Sequence, residues 1–210
     1  MYSSIPERIA SIRRNIPAGV TLVCVSKFHP AEAIMAAYEA GERDFGESRV
    51  QELLRKHEVL PDDIRWHFIG HLQTNKVRAI VPFVHLIQSV DSLHLLDTIQ
   101  SEAARIGRVV NVLLEVHVAR EATKSGFTPD EIRNLPELHY PNVRICGLMT
   151  MASLTDDEAE IRRCFRLAAS LKKKDTPILS MGMSDDYGIA IEEGSTMVRV
   201  GSSIFGERVY

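Results

Sequence analysis

The sequence lacks several features that would assign the protein to a membrane or a secretory compartment. No run approaches the ~18 consecutive apolar residues that a membrane-spanning helix needs. The first residues contain no basic segment followed by an apolar run, so no secretory signal is predicted. The cysteines are three and scattered (Cys24, Cys146 and Cys164), which argues against a disulfide framework or a zinc site. We therefore expect a soluble cytoplasmic protein with reduced thiols.

An excess of charge and the common nucleotide-binding motifs are also missing. The formal net charge of −3 gives no general attraction to nucleic acid or to anionic membranes, so neither is expected as a partner. No glycine fingerprint follows the first predicted strand, and no phosphate-binding glycine-lysine loop is present. A serine nucleophile elbow is absent as well. These absences argue against dinucleotide-binding, P-loop and serine-hydrolase functions.

What the chain does contain is a regular alternation of apolar strands and helix-forming segments. Strictly alternating elements predict a parallel sheet, and eight strands favour a closed barrel. The fold class is therefore α/β, a single (β/α)8 TIM barrel that forms one domain over residues 1–210. An open doubly wound sheet is the alternative, which the absence of the glycine fingerprint disfavours. The predicted strands are Thr21 to Lys27, Arg43–Gly46, Ile64–Gly70, His85–Val90, Val109–Val118, Val143–Met149, Pro177–Met181 and Met197–Gly201.

Helices are predicted between the strands from propensity, capping residues and terminating glycines or prolines. Thr128 is followed by Pro129, Asp130 and Glu131, which is typical of a helix start. The predicted helices are 6–15, 31–40, 47–56, 72–81, 91–106, one that begins at 128, 156–174 and 185–193.

Lys27 follows the apolar segment Thr21–Val25, which has the composition of a strand buried on both faces. Alternation of side chains puts Lys27 on the same face as Val23 and Val25. A lysine in this position either marks the solvated end of the strand or is an amine suited to Schiff-base chemistry. The segment alone leaves both readings open.

Function in a barrel collects at the carboxyl ends of the strands, and phosphate groups commonly bind the loops after strands seven and eight. Those loops contain Ser184, which we expect to cap the next helix, and Gly201 with Ser202, while Arg199 lies on strand eight. Individually these are also ordinary turn and cap residues. Together with Lys27, they describe a phosphorylated aldehyde held as an imine, for which pyridoxal 5'-phosphate is the leading candidate.

Two further pairs lie near predicted strand ends. His67 and His71 flank the end of strand three, but no nearby carboxylate completes a ligand set, so no metal site is predicted. Glu115 and His117 share a face of strand five. They could line the barrel mouth, although we favour a hydrogen-bonded pair in the core.

The segment Trp66–Lys76 (WHFIGHLQTNK) resembles the signature of the pyridoxal phosphate homeostasis protein family, once called proline synthetase co-transcribed proteins. The similarity covers essentially the whole chain. It implies a barrel like the N-terminal domain of bacterial alanine racemase, with the cofactor on Lys27. It also implies that Ser184, Gly201 and Ser202 hold the phosphate and that Arg199 faces the pyridine nitrogen. The other matching segments, in order, are Val25–Lys27, Phe45–Glu52, Lys124–Gly126, Gly147–Met151, Ser180–Asp186 and Val198–Gly206.

The chain departs from the family pattern at two places. The family often has Asn-Tyr where this chain has Ser48 and Arg49, which puts a cofactor contact from that loop in doubt. It often has asparagine at the position of His117. The N-terminal helix is also short.

Arg199 bears on whether the protein is an enzyme. A guanidinium cannot supply a proton at neutral pH, so it would leave the pyridine nitrogen neutral and support carbanion formation poorly. Racemases of this fold also have an arginine there, but a second domain and a partner subunit bring them a catalytic tyrosine. This chain ends at Tyr210, directly after the eighth unit, so we expect no second domain. Without a second acid/base group, racemisation would lose a factor of about 10²–10⁴.

The sequence therefore predicts a non-enzymatic protein that holds pyridoxal 5'-phosphate on Lys27 and buffers or carries it, with indirect effects on amino-acid and keto-acid balance. Apo forms of enzymes that need the cofactor are candidate partners, and a monomer is expected. The alternatives are a weak amino-acid racemase, a Schiff-base aldolase acting on a sugar phosphate, and a barrel with a structural role only.

Overall fold

The computed structural model describes residues 2, 4–119, 125–136 and 138–206, which form a closed parallel barrel. Each strand pairs with its neighbours in chain order, and β8 pairs with β1 to close the barrel. This confirms the predicted fold class. The strands are β1 (Thr21–Val25), β2 (Asp44–Glu47), β3 (Arg65–Phe68), β4 (Leu86–Val90), β5 (Val110–Glu115), β6 (Val143–Met149), β7 (Ile178–Ser180) and β8 (Met197–Val200).

Helices cover the outside of the barrel. In the described residues, none of them is long and apolar enough to cross a membrane. The helices are α1 (Ile5–Arg13), α2 (Ala31–Glu39), α3 (Val50–Val59), α4 (Thr74–Ile80), α5 (Leu93–Arg105), α6 (Pro129–Arg133), α7 (Glu158–Leu171), α8 (Tyr187–Glu192) and α9 (Ser202–Phe205).

The hydrophobic core has two layers because successive strand residues point to opposite faces. The larger layer lies between strands and helices and includes Trp66 and Phe165, both fully buried. A smaller cluster fills the barrel interior and consists of Val23, Leu86, Leu113, Met149 and Met197, with Cys146 and Ile178 packed against it. The barrel is thus a filled core and not a pore.

Several predicted boundaries are wrong at the carboxyl ends of strands. β1, β3 and β5 end before the apolar segments that predict them do, so Lys27 and His117 lie beyond their strands. The helix predicted from Glu47 starts at Val50 instead, because Glu47 is the last residue of β2 and is fully buried. α8 starts at Tyr187, with Asp186 at its N-cap position.

The seam between β7 and β8 has a single register pair, Ser180 with Met197. Side-chain hydroxyls reinforce it. The Oγ atom of Ser195 lies 2.8 Å from the Met181 carbonyl oxygen, and Thr196 Oγ1 accepts a hydrogen bond of 2.8 Å from the amide of Leu179. The loops that follow these two strands contain Ser184 and Gly201.

Candidate functional site

A cavity of about 550 Å³ opens at the carboxyl end of the barrel. Its lining includes all five residues predicted from the sequence, namely Lys27, Ser184, Arg199, Gly201 and Ser202. They come from the loops after β1, β7 and β8 and from β8 itself. Convergence of parallel strands at one edge therefore brings together residues that are up to 175 positions apart in sequence (202 − 27).

A larger hollow lies against α1 and α2, with a volume of about 890 Å³. Its lining is mostly apolar, with Glu32 and Glu39 as its charged residues, and no lysine, arginine or histidine is among the described residues that line it. The smaller cavity at the strand ends is therefore the better candidate for the functional site, because cationic and hydroxyl side chains line it.

Lys27 lies in a turn two residues after β1, and its neighbour Phe28 has a positive φ of 69°. The turn is held from outside the barrel. The carbonyl oxygen of Ser26 accepts a hydrogen bond of 2.8 Å from Lys56 Nζ, and the amide of Phe28 donates one of 2.7 Å to Glu52 Oε1. The backbone on both sides of Lys27 is thus fixed by side chains of α3.

Those side chains belong to an ion cluster formed by Glu47 and Lys56, which are buried, and Glu52, which is partly buried. Lys56 Nζ lies 2.7 Å from Glu47 Oε1 and 2.7 Å from Glu52 Oε1, and Ser26 Oγ donates a hydrogen bond of 2.6 Å to Glu47. Burial raises the pKa of Glu47 to about 7 despite the opposing effect of Lys56. Its second oxygen, Oε2, is buried and has no hydrogen-bond partner in the described structure. The ammonium group of Lys56 therefore forms ion pairs with two carboxyl groups.

Sequence reasoning missed this cluster because Glu47 fits the start of a helix. The spacing of these residues does contain a signal. Glu47, Glu52 and Lys56 lie within ten residues, so a short loop is enough to place the side chains of α3 beside the end of β2.

Arg199 is a buried cation that points its hydrogen bonds at neutral acceptors. Its Nη1 donates to the carbonyl oxygen and the hydroxyl of Ser180 at 2.9 and 2.6 Å, and its Nη2 donates to the carbonyl oxygen of Thr150 at 2.8 Å. Within the described ranges, no carboxylate forms an ion pair with it. Burial lowers the pKa of Arg199 to about 10, so the side chain stays charged at neutral pH. Asp186 and Glu115 act on Arg199 only through their charge, without a direct bond, so the guanidinium at the cavity wall is suited to an electron-rich ligand atom.

Ser184 and Gly201 connect the loops after β7 and β8. The amide of Gly201 donates a hydrogen bond of 3.3 Å to Ser184 Oγ. A Cβ atom at position 201 would lie 3.1 Å from the carbonyl oxygen of Val25, so glycine permits the close approach of β8 to β1 here. Ser202 begins α9, where the first amides have no acceptor within the helix. This region offers hydroxyl and amide donors to a ligand.

The prediction that Ser184 caps α8 is wrong. Asp186 occupies the N-cap position, and its Oδ1 accepts a hydrogen bond of 2.5 Å from the amide of Met183. Ser184 turns toward Gly201 because the loop must close against the end of β8.

Arg49, one of the two residues at which the loop after β2 departs from the family pattern, lies near Lys27. The guanidinium of Arg49 lies 4.8 Å from the centre of the Phe28 ring, so this departure from the family pattern packs beside the Lys27 turn.

Glu115 contacts Ser125 Oγ at 3.4 Å, with no bond to His117 among the described contacts, so the predicted hydrogen-bonded pair of Glu115 and His117 is wrong. Burial raises the pKa of Glu115. Lys124 and Tyr210 lie outside the described residues.

His67 and His71 do not form a site together. His67 is buried in the barrel and bonds to Asp44 and Gln88, whereas His71 is exposed and lies 3.1 Å from Asp91 Oδ2. A different set, Asp44, His67 and His85, brings possible ligand atoms within 4.8 Å of one another. Arg65 already occupies both carboxylate oxygens of Asp44, at 2.8 and 2.5 Å, so a metal ion would have to displace a cation.

The sequence and fold of this chain are similar to those of known proteins. The chain matches the family described as alanine racemase, N-terminal domain, over residues 2–209. A relative from Aquifex aeolicus, a pyridoxal phosphate homeostasis protein, is 44% identical over 199 residues, which cover 90% of this chain and 87% of the relative. The chain belongs to the pyridoxal phosphate homeostasis protein family.

Solved structures agree with this membership. PipY of Synechococcus elongatus, with PLP bound, has a TM-score of 0.87 and 41% identity, covering 96% of this chain and all of PipY. An alanine racemase from Clostridium difficile has a TM-score of 0.78 at 14% identity and covers 97% of this chain and 56% of the racemase. At that identity the racemase shows a shared fold alone.

Proposed function

We propose that this protein binds pyridoxal 5'-phosphate through a Schiff base on Lys27 and acts in homeostasis of the cofactor. The observation that carries the proposal is the convergence of Lys27, Arg199, Ser184 and Ser202 on one cavity at the carboxyl end of the barrel. Membership of the family and the cofactor bound in PipY support it. Buffering or delivery to apo enzymes, by a monomer, is the role we propose for the bound form.

The residues of the cavity fit the chemical groups of this cofactor. When bound, the cofactor supplies an aldehyde that forms an imine with an amine. Lys27 supplies the amine, Ser184 with Gly201 and Ser202 supplies donors for a phosphate, and Arg199 supplies N–H groups for a ring nitrogen. The lack of an ion-paired carboxylate on Arg199 in the described residues favours this assignment, since a ligand acceptor would complete its bonding.

The presence of Arg199 also favours a protein that binds the cofactor without activating it for catalysis. A guanidinium donates hydrogen bonds but gives up no proton at neutral pH, even with a pKa of about 10. The ring nitrogen beside it would therefore remain unprotonated, and the ring would withdraw electrons weakly. We propose a non-enzymatic role on this basis.

A weak amino-acid racemase is the second candidate, and one observation favours it. His29 lines the cavity together with Lys27, so two groups able to exchange protons are present there. This candidate predicts exchange of the α-proton of alanine or serine in deuterated water, with loss of exchange in Lys27→Ala. Lack of exchange at high protein concentration would eliminate it.

The absorption spectrum of the protein tests the main proposal. Wild type with added cofactor should develop a visible band, and borohydride reduction should leave a stable adduct of one cofactor on the peptide that contains Lys27. Lys27→Ala should show neither. Lys173→Ala, at an exposed lysine on the outside of the barrel, is the matched control and should behave as wild type. A visible band of equal strength in Lys27→Ala would refute the proposal.

A further inference from the structure

A continuous chain of polar side chains crosses the barrel interior and ends at Arg199. His67 Nε2 lies 3.0 Å from Asp44 Oδ1, and His67 Nδ1 lies 2.9 Å from the amide nitrogen of Gln88. Ser180 Oγ lies 2.6 Å from Gln88 Oε1 and 2.6 Å from Arg199 Nη1. All five side chains are buried. This polar chain, Asp44–His67–Gln88–Ser180–Arg199, joins five different strands.

The direction of every hydrogen bond in the polar chain follows from its two ends. Arg199 can only donate, so Ser180 Oγ accepts from it and must donate its own proton to Gln88 Oε1. The amide group of Gln88 then faces His67, whose Nδ1 accepts. The remaining proton of the neutral ring is on Nε2 and is donated to Asp44, which as a carboxylate can only accept.

The surroundings make this order difficult to change. The polar chain is packed among apolar side chains of the barrel interior, including Leu86, Leu113 and Met197. The second amide proton of Gln88 points to Met197 Sδ at 3.3 Å, so the amide is fully used. A flipped Gln88 would leave the Ser180 hydroxyl proton without its acceptor and would set Oε1 against the lone pair of His67 Nδ1, and an unpaired buried donor is costly. The polar chain therefore holds Arg199 in one position.

That position determines what Arg199 can offer to a ligand. A guanidinium has five N–H groups, and three of them make the bonds to Ser180 and Thr150 in the described structure. The remaining two make no hydrogen bond in the described structure, and Arg199 is one of the residues that line the cavity. Because the bonded side of the fork is fixed from the barrel interior, the direction of these two donors is fixed as well.

We propose that Gln88 and His67 are positioning residues for Arg199, which they hold against the ligand ring from the far side of the barrel. Neither residue lines the cavity. The inference rests on the proposed function, since it concerns how Arg199 meets the cofactor. It adds that the electronic environment of the ring nitrogen is set by residues of β3 and β4, which do not touch the cofactor.

Gln88→Met tests the inference because methionine has a similar volume and lacks the amide. The variant should still form the borohydride-stable adduct on Lys27. It should bind the cofactor about tenfold more weakly, as expected for a displaced charged hydrogen bond. The absorption maximum and the pH midpoint of the visible band should also move, because Arg199 no longer holds its place beside the ring nitrogen.

Leu86→Met is the control, since Leu86 lies on the same face of β4 and is outside the polar chain. It should leave affinity, maximum and midpoint unchanged. If Gln88→Met does not fold, judged by the fluorescence of Trp66, Ser180→Ala removes the next link with a smaller change in volume and should give the same shifts.

Wild-type values for affinity, maximum and midpoint in a folded Gln88→Met or Ser180→Ala variant would overturn the inference. The two proposals fail in different ways. If Lys27 of the wild type forms no adduct, the proposed function is wrong. If the adduct forms in wild type, Gln88→Met and Ser180→Ala while the spectra do not change, only the positioning role is wrong.

Discussion

Replacement of Glu47 by glutamine should remove a large part of the pH dependence of stability. Glu47 is fully buried, and burial raises its pKa from 4.5 to about 7. The folded protein therefore holds a proton on Glu47 that the unfolded chain releases at lower pH. Stability that is present below pH 4.5 is consequently lost as the pH rises through about 7.

The size of the effect follows from the two pKa values. The interval from 4.5 to about 7 corresponds to about 3 kcal/mol, at about 1.4 kcal/mol per pH unit, and most of it falls between pH 5 and 8. Glutamine keeps the shape of the side chain and an oxygen that can accept from Ser26 and Lys56. Since it does not titrate, Glu47→Gln should flatten the curve by that amount.

Urea unfolding of the cofactor-free protein at pH 5, 6, 7 and 8 measures this, with fluorescence of the single tryptophan, Trp66, as the signal. Trp66 is buried, so unfolding changes its environment. Glu193→Gln is the control, because Arg166 and Arg162 lower the pKa of Glu193 and its titration lies below this range. An equal fall in stability for wild type and Glu47→Gln would refute the reasoning.

Two smaller changes test other parts of the fold. Thr128→Ala removes the capping box in which Thr128 Oγ1 accepts from the amide of Glu131 at 3.2 Å, and it should cost about 1 kcal/mol in urea unfolding without weakening cofactor binding. An unchanged unfolding midpoint would contradict this. Gly201→Ala sets a Cβ atom 3.1 Å from the Val25 carbonyl oxygen, so the two backbones must move apart by a few tenths of an ångström, and cofactor affinity, measured by titration of the visible band, should fall several-fold. Wild-type affinity would show that the close approach is unimportant.

The barrel could be predicted from the sequence because alternation and strand count are local patterns. β6 was predicted with the bounds that it has, Val143–Met149. The errors in the predicted strand boundaries concentrate at the carboxyl ends of the strands, where apolar residues continue past the strand and are still buried. Glu47 is the opposite case, since β2 continues one residue beyond its predicted end at Gly46 and that residue is charged. A buried glutamate at the end of a strand is rare, and its stabilising cation, Lys56, comes from the next helix.

The candidate site could be predicted in part for a related reason. Lys27 and Arg199 follow the rule that strand ends converge, so their shared cavity needs no knowledge of side-chain contacts. Gln88 and Ser180 could not be found in this way. Their contact spans the barrel between β4 and β7, which are not neighbours, so it is a product of the closed barrel and not of any local pattern.

The seam between β7 and β8 is short: the amides of Met181, Thr196 and Arg199 donate across it to the carbonyl oxygens of Met197, Leu179 and Gly182, and its strand ladder contains one register pair. Amide hydrogens along this seam should exchange sooner than those of β5 and β6, whose pairing extends over six registered positions. Ser184 follows one side of the seam and Ser202 follows the other. A phosphate held by both loops would therefore bridge the seam.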